Sequence, residues 1–354
     1  AAGELKTKPT QHSVKTLLES GLQPDILVCR TEHSLDDSIR GKVARFCNVD
    51  REDVIESIDA RSIYEVPILM QKEGLDTRVI EKLQLTTPAP DLTDWTSFVH
   101  AVCYPEHQVE IALVGKYVEH HDSYKSIVEA FVHAGAKNNA KVSIRWVQSD
   151  NLTAENVAQA LDGVDGVLVA PGFGGRGIEG KLSAVRYARE QKIPFFGICL
   201  GMQCAVIEYA RNVCGLSNAN STEFEESTDH PIIDIMYDQK DIENMGGTMR
   251  LGKYDCAIQP DTKAYEAYQI TEVEERHRHR YEVNNELRSI LSDHGLIFSG
   301  INPGRDLVEM VEIPDHPWFV GVQFHPELRS TVQHPQPLFV AFVKASLAHA
   351  HKKS

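Results

Sequence analysis

The sequence predicts an α/β protein whose larger part is a parallel sheet with helices on both faces. Two observations carry that expectation. From residue 109 onward, short apolar runs alternate with stretches of helical spacing. In addition, the glycine-bearing segments 172–177 and 197–201 fall where apolar runs end, the edge at which such sheets hold ligands.

In chain order, residues 1–85 contain one clear strand, PDILVCR (24–30), between helical patterns at 13–20 and 35–45. TTPAPDLTDW (86–95) brings two prolines and little periodicity, so 86–107 reads as a linker with a helical stretch at 95–101. A second domain then runs over 108–350. VEIALVGKY is a buried-strand run, 123–136 has helical spacing, AKVSIRWVQ is a strand and AENVAQALDG a helix. VDGVLVAPGFGG is a strand ending in a glycine loop, GKLSAVRYAREQ a helix, and IPFFGI a strand. Beyond 215 the pattern is mixed and loop-rich until WFVGVQFHPE (318–327) and a last helix at 337–350.

Composition narrows the class. With 354 residues there is room for two domains, and a net charge of −15 speaks against general attraction to nucleic acid or membrane. Seven cysteines without paired spacing fit reduced thiols rather than a disulfide framework. No run of 18 apolar residues and no signal peptide is visible, so a cytoplasmic protein is expected. The opening AAGELKTKPTQ reads as though it enters mid-domain, which suggests a fragment.

The chemistry centres on GICLG. Cys199 sits between Gly197 and Gly201, at the junction of a strand pattern and a helix pattern. This is the layout of the G-x-S-x-G nucleophile elbow with sulfur in place of oxygen. At a helix N-terminus the thiolate is favoured, and the Leu200 N–H is a natural oxyanion donor. The competing reading is a buried packing cysteine, the commoner fate of a free Cys, and Cys204 and Cys214 keep it. A cysteine nucleophile needs a base. Among 16 histidines, His325 stands out in QFHPE: Pro326 biases it to extended geometry, which puts His325 and Glu327 on one side. The carboxylate then braces one ring nitrogen and leaves the other for sulfur.

GICLGMQ, PGFGGRG and FHPE together resemble the class I glutamine amidotransferases. KTKPTQHSV, FCNV, GKYVEHHDSYKSIVEA, NANSTEF, GGTMRLG and ERHRHRYEVN extend the resemblance to the CTP synthase family over nearly the whole chain. The resemblance implies a flavodoxin-like glutaminase domain preceded by part of a P-loop-type synthetase domain. It implies attack of Cys199 on glutamine to give a γ-glutamyl thioester, with His325 and Glu327 moving protons. Gly172 and Leu200 become oxyanion donors, and Gln203, Glu223 and Arg280 hold the glutamine head. This chain reads Ala170-Pro171-Gly172-Phe173-Gly174 where many relatives have Pro-Gly-Gly-Phe-Gly, which stiffens the loop entrance. The run RHRHR (276–280) is otherwise a solvated or anion-binding face. Thr248 and Arg250, in GGTMRLG, fall where the family contacts its activator GTP.

For the amino-terminal piece, the resemblance implies ATP- and Mg²⁺-dependent amination of UTP to CTP in a homotetramer. Lys6, Thr7, Lys8, Pro9, Thr10, Gln11 and Lys42 match UTP/CTP contacts, and Ala60 an ATP-side position. Lys8 precedes a proline, so Lys6 and Lys8 are expected extended and projecting together. No G-x-x-x-x-G-K-[ST] loop and no metal site is found, so the synthetase half is expected to be incomplete and the chain alone to act as a glutaminase. Two other functions compete: a γ-glutamyl hydrolase without ammonia transfer, and a non-catalytic regulatory or filament-forming module.

Overall fold

The computed structural model describes residues 5–235 and 249–353. It divides after Cys103 into two compact units.

In the first unit, strands β1 (Leu27–Thr31) and β2 (Val54–Ile58) pair in parallel, Leu27 opposite Val54. The second strand is absent from the sequence expectation because VIESI is too short and too mixed to stand out. Helices α1 (Lys8–Glu19) and α2 (Asp37–Cys47) pack on a small core of Val14, Val43, Ala44, Cys47 and Val54. The Asp36 side chain caps α2 by accepting from the Ile39 N–H at 2.8 Å, and left-handed Asn48 ends it. Helices α3 (Val66–Lys72), α4 (Leu75–Lys82) and α5 (Thr93–Cys103) complete the unit. Buried Asp53 is held by two α4 cations, Arg78 at 2.7 Å and Lys82 at 2.6 Å. The linker expected at 86–107 is corrected in part. Helix α5 docks within the unit, with the Trp95 indole donating to the Tyr64 carbonyl at 2.7 Å.

The second unit is built on a nine-stranded sheet among the described residues. Its parallel half contains β3 (His107–Gly115), β4 (Ala140–Gln148), β5 (Gly166–Val169), β6 (Phe195–Ile198) and β14 (Phe319–Val322), in the order β4-β3-β5-β6-β14. The sequence texture predicts four of these from alternation with helices. Its antiparallel half continues through β13 (Leu307–Glu312), β12 (Ile297–Asn302), β9 (Arg250–Ile258) and β10 (Glu272–His279). That half corrects the loop-rich reading of the region beyond 215. A side sheet joins β7 (Ala219–Ser221), β8 (His230–Ile235) and β11 (Tyr281–Val283).

Helices cover both faces. On one lie α7 (Val157–Ala160), α8 (Ile178–Glu190) and α9 (Leu200–Asn212), with a core that includes Leu182, Val185, Met202 and Val206. On the other lie α6 (Lys125–Lys137), α10 (Lys263–Tyr268) and α12 (Pro337–Lys353), over Phe131, Phe196, Phe339 and Phe342. The short α11 (Arg288–Asp293) closes the element list. Helix α9 is unusual: every residue from Leu200 to Ala210 is buried. Such a helix lies inside a fold rather than on it.

Candidate active site

The turn from β6 into α9 is built by close approach. A methyl group at Gly201 would sit 2.1 Å from the Val169 carbonyl oxygen, and one at Gly197 2.7 Å from the Gly201 carbonyl carbon and oxygen. Neither glycine has a positive φ; the left-handed residue is Cys199 itself, at φ 52° and ψ −106°. The glycines therefore let strand and helix touch, and the strain is carried by the nucleophile. Strain of this kind persists only where the surroundings over-determine it. Here the Cys199 N–H donates to the Val322 carbonyl at 2.7 Å, and the Gln203 N–H to the Cys199 carbonyl at 3.1 Å.

His325 is pinned through its own N–H, which donates to the Arg276 carbonyl of β10 at 2.7 Å. Its Nδ1 donates to Glu327 Oε1 at 2.8 Å. The extended geometry expected for this pair is corrected. Residues Pro326–Arg329 form a single 3₁₀ turn, and it is the turn that swings Glu327 back onto the ring. Proline suits the first position of such a turn because its missing N–H would have no partner there. Burial lowers the His325 pKa, but Cys199 on one side and Glu327 on the other raise it to about 10, so the ring is an imidazolium at neutral pH. Nε2 makes no conventional hydrogen bond to the sulfur. The buried Gln323 amide donates to Cys199 Sγ at 3.7 Å.

The remaining expected residues gather around this core. Leu200 opens α9, so its N–H has no intrahelical partner by position. A methyl at Gly172 would touch Leu200 Cδ2 at 3.4 Å, which sets Gly172 against the start of α9. The Gln203 amide donates to the Tyr281 carbonyl at 3.0 Å and to Gln323 Oε1 at 3.2 Å. Glu223 accepts from the Gly174 N–H at 2.6 Å, which ties the side sheet to the glycine loop. Arg280 lies between β10 and β11, and Glu223 and Arg280 both act electrostatically on Tyr281. A cleft of about 380 Å³ is lined by Tyr117, Gly172, Phe173, Arg278, His325 and Glu327, with others. Cys199, only 3% exposed, does not line it.

Two expectations change. Arg250 is not an exposed effector contact: it is 2% exposed and bridges Glu282 at 2.9 Å and Glu309 at 2.8 Å. Burial pushes both carboxyls up despite the guanidinium. Thr248 lies outside the described residues. In the first unit Lys8 is helical, not extended, because α1 begins there with Pro9 in its first turn. Thr7 precedes α1 without a side-chain cap, and the Gln11 side-chain amide donates to its Oγ1 at 3.1 Å. Lys6, Lys8, Pro9 and Lys42 are exposed, while Thr10, Gln11 and Ala60 are half-buried.

Sequence reasoning missed Phe173, Arg278, Gln323, Lys116 and Lys181. The first two were findable: β10 alternates, burying His277 and His279 and exposing Arg276 and Arg278, and Arg278 stacks over the Phe173 ring at 5.9 Å. Cys204 and Cys214 keep the packing role, each thiol pushed up to about 11 by burial.

Comparison with known proteins agrees with this geometry. The family model "Glutamine amidotransferase class-I" matches residues 119–345, and "CTP synthase N-terminus" matches residues 1–85. That second match gives no support to the expectation of an incomplete synthetase half. Curated CTP synthases of Salinibacter ruber and Flavobacterium johnsoniae are 55% and 58% identical over all of this chain, which spans 64% and 66% of their lengths. A solved glutaminase domain of Trypanosoma brucei CTPS, with bound acivicin, is 40% identical at a TM-score of 0.64, covering 67% of this chain and 93% of that one. The chain belongs to the class-I glutamine amidotransferase family, in its CTP synthase branch.

Proposed function

We propose that the second unit hydrolyses L-glutamine and that the ammonia serves the amination of UTP to CTP. The observation that carries this is the left-handed Cys199 at the head of a buried helix, facing an imidazolium braced by Glu327 at 2.8 Å. Sulfur attacks the side-chain amide carbon. The C–N bond breaks as His325 gives its proton to the departing nitrogen, leaving a γ-glutamyl thioester and ammonia. The now neutral ring takes a proton from water, whose oxygen attacks the thioester, and glutamate leaves with the thiol restored. The N–H groups of Gly172 and Leu200 receive the oxyanion in both steps. Gln203, Glu223 and Arg280 hold the amino-acid head, an acid for the ammonium and a guanidinium for the carboxylate.

For the amination half, Lys6 and Lys8 at the amino end of α1, together with Lys42 on α2, offer positive charge to a nucleoside triphosphate. ATP with Mg²⁺ as phosphoryl donor, GTP as activator and a tetrameric assembly belong to the same proposal. Among the described residues no group of three or more His, Cys, Asp or Glu is placed to hold a metal, and no step above runs through one. No helix of the described residues is long and apolar enough to cross a membrane.

Cys199→Ser tests the reading. Glutamate release from glutamine, with and without GTP, falls by at least about 10³-fold if sulfur is the nucleophile. Hydrolysis unaffected by the substitution refutes it. Turnover of other γ-glutamyl amides with no response to GTP points to a hydrolase without an ammonia acceptor.

A further inference from the structure

Two ammonium groups lie behind the glycine loop, and the proposed chemistry leaves them without a role. Lys181, on α8, is 0% exposed, and its Nζ donates to the Ala170 carbonyl at 2.6 Å. Lys116, just beyond β3, is 3% exposed, and its Nζ donates to the Phe173 carbonyl at 2.6 Å and also to the Gly174 carbonyl. Neither has a carboxylate within ion-pair distance among the described residues. A buried cation without a counter-ion is costly, and packing alone would be served as well by Leu or Met.

The carbonyls these lysines take are those on either side of Gly172. Ala170 precedes it and Phe173 and Gly174 follow, while the Gly174 N–H is fixed the other way, to Glu223. A methyl at Gly172 would lie 3.8 Å from Lys181 Nζ and 3.8 Å from Lys116 Cδ. The peptide that carries the Gly172 N–H thus lies between neighbouring peptides whose carbonyls are held by positive charge, in a loop with no regular backbone ladder of its own.

We infer that Lys116 and Lys181 are positioning residues of the oxyanion loop: they fix its carbonyls rearward, so that the Gly172 N–H faces the reacting amide and their charge lies behind the developing oxyanion. The inference rests on the glutaminase reading above. Preorganised dipoles backed by fixed charge act where charge appears in the transition state, so the effect falls on kcat rather than on ground-state binding. The charge is also titratable. Burial lowers the Lys181 pKa to about 8, and Cys204, Lys116, Cys199 and Asp150 are the charged or titratable groups that face it. The protonated, clamping form holds below that value and is lost above it.

The test compares wild type, Lys181→Met and Lys116→Met in steady-state glutamine hydrolysis, with thermal unfolding recorded for each. The expected result for a folded Lys181→Met protein is a kcat lower by about 10- to 100-fold with KM within about threefold. Inhibition by glutamate γ-semialdehyde, which traps the thiol as a tetrahedral adduct, weakens by a similar factor. A purely structural lysine would alter unfolding and leave the aldehyde-to-glutamine ratio alone. If Lys181→Met does not fold, Lys116→Met carries the same comparison. The wild type carries it with no substitution: its kcat drops across about pH 8, a limb that Lys181→Met lacks. A folded variant with wild-type kcat and aldehyde affinity, or a wild-type kcat level from pH 7 to about 9, overturns the inference. Failure of the wild type to hydrolyse glutamine at all would instead refute the glutaminase reading.

Discussion

Gly201→Ala isolates what the close approach at the elbow is worth. The added methyl carbon would stand 2.1 Å from the Val169 carbonyl oxygen, where ordinary contact begins at 3.4 Å. The oxygen belongs to the backbone of central strand β5 and cannot swing away as a side-chain tip would. The first turn of α9 must retreat by more than about 1 Å, and Cys199, two residues back, goes with it. Overpacking of this kind costs about 1–3 kcal/mol of stability. A displacement of about 1 Å between reacting groups costs about 100-fold in rate. The expected protein is folded at 25 °C, with a lower urea midpoint and glutamine hydrolysis down by about two orders of magnitude. Both are read from one preparation, by fluorescence-monitored unfolding and by coupled glutamate detection. A variant within threefold of wild-type kcat and with an unchanged midpoint would show that the packing of α9 on β5 does not position the nucleophile.

The other predictions concern charge. Burial lowers and Cys199 and Glu327 together raise the His325 pKa to about 10, so Glu327→Gln, which removes one of the two raising groups, should lower it and the imidazolium should give up its proton at lower pH. The imidazolium's stabilisation of the folded wild type is complete below its unfolded pKa of about 6.5 and fades as pH climbs toward 10. NMR titration of the His325 ring should show its transition at lower pH in the variant than in the wild type; identical titrations would refute the bracing role. Arg250→Met leaves Glu282 and Glu309 buried without their shared cation. It should cost about 3–5 kcal/mol in urea unfolding. A variant with unchanged stability that has lost only its response to GTP would restore Arg250 to an effector contact.

The sequence reveals much of this protein where chemistry and backbone share one local pattern. GICLG announces a strand, a sharp turn and a helix within five letters, and alternation of strand and helix predicts the parallel half of the sheet. FHPE places His325 beside Glu327 for the wrong geometric reason: the proline makes a 3₁₀ turn, not a strand. The antiparallel half was hidden because its strands carry buried charge. Arg250, Glu275, His277, His279 and Glu309 read as surface, yet Arg250 pairs with Glu309 and His277 with His279 inside, and buried Glu275 accepts from Tyr268 and Gln336. Lys116 and Lys181 escaped for the same reason, since a lone lysine in a helix pattern looks solvated until the fold closes over it.

The complete enclosure of the helix behind Cys199 has a consequence for how the molecule breathes. Residues 200–210 are all buried, so their amide protons should trade for deuterium only when the entire domain comes apart. Slow exchange there, beside quick exchange in the surface helices, would mean that the thiol keeps its aim through every lesser fluctuation and loses it only on global unfolding.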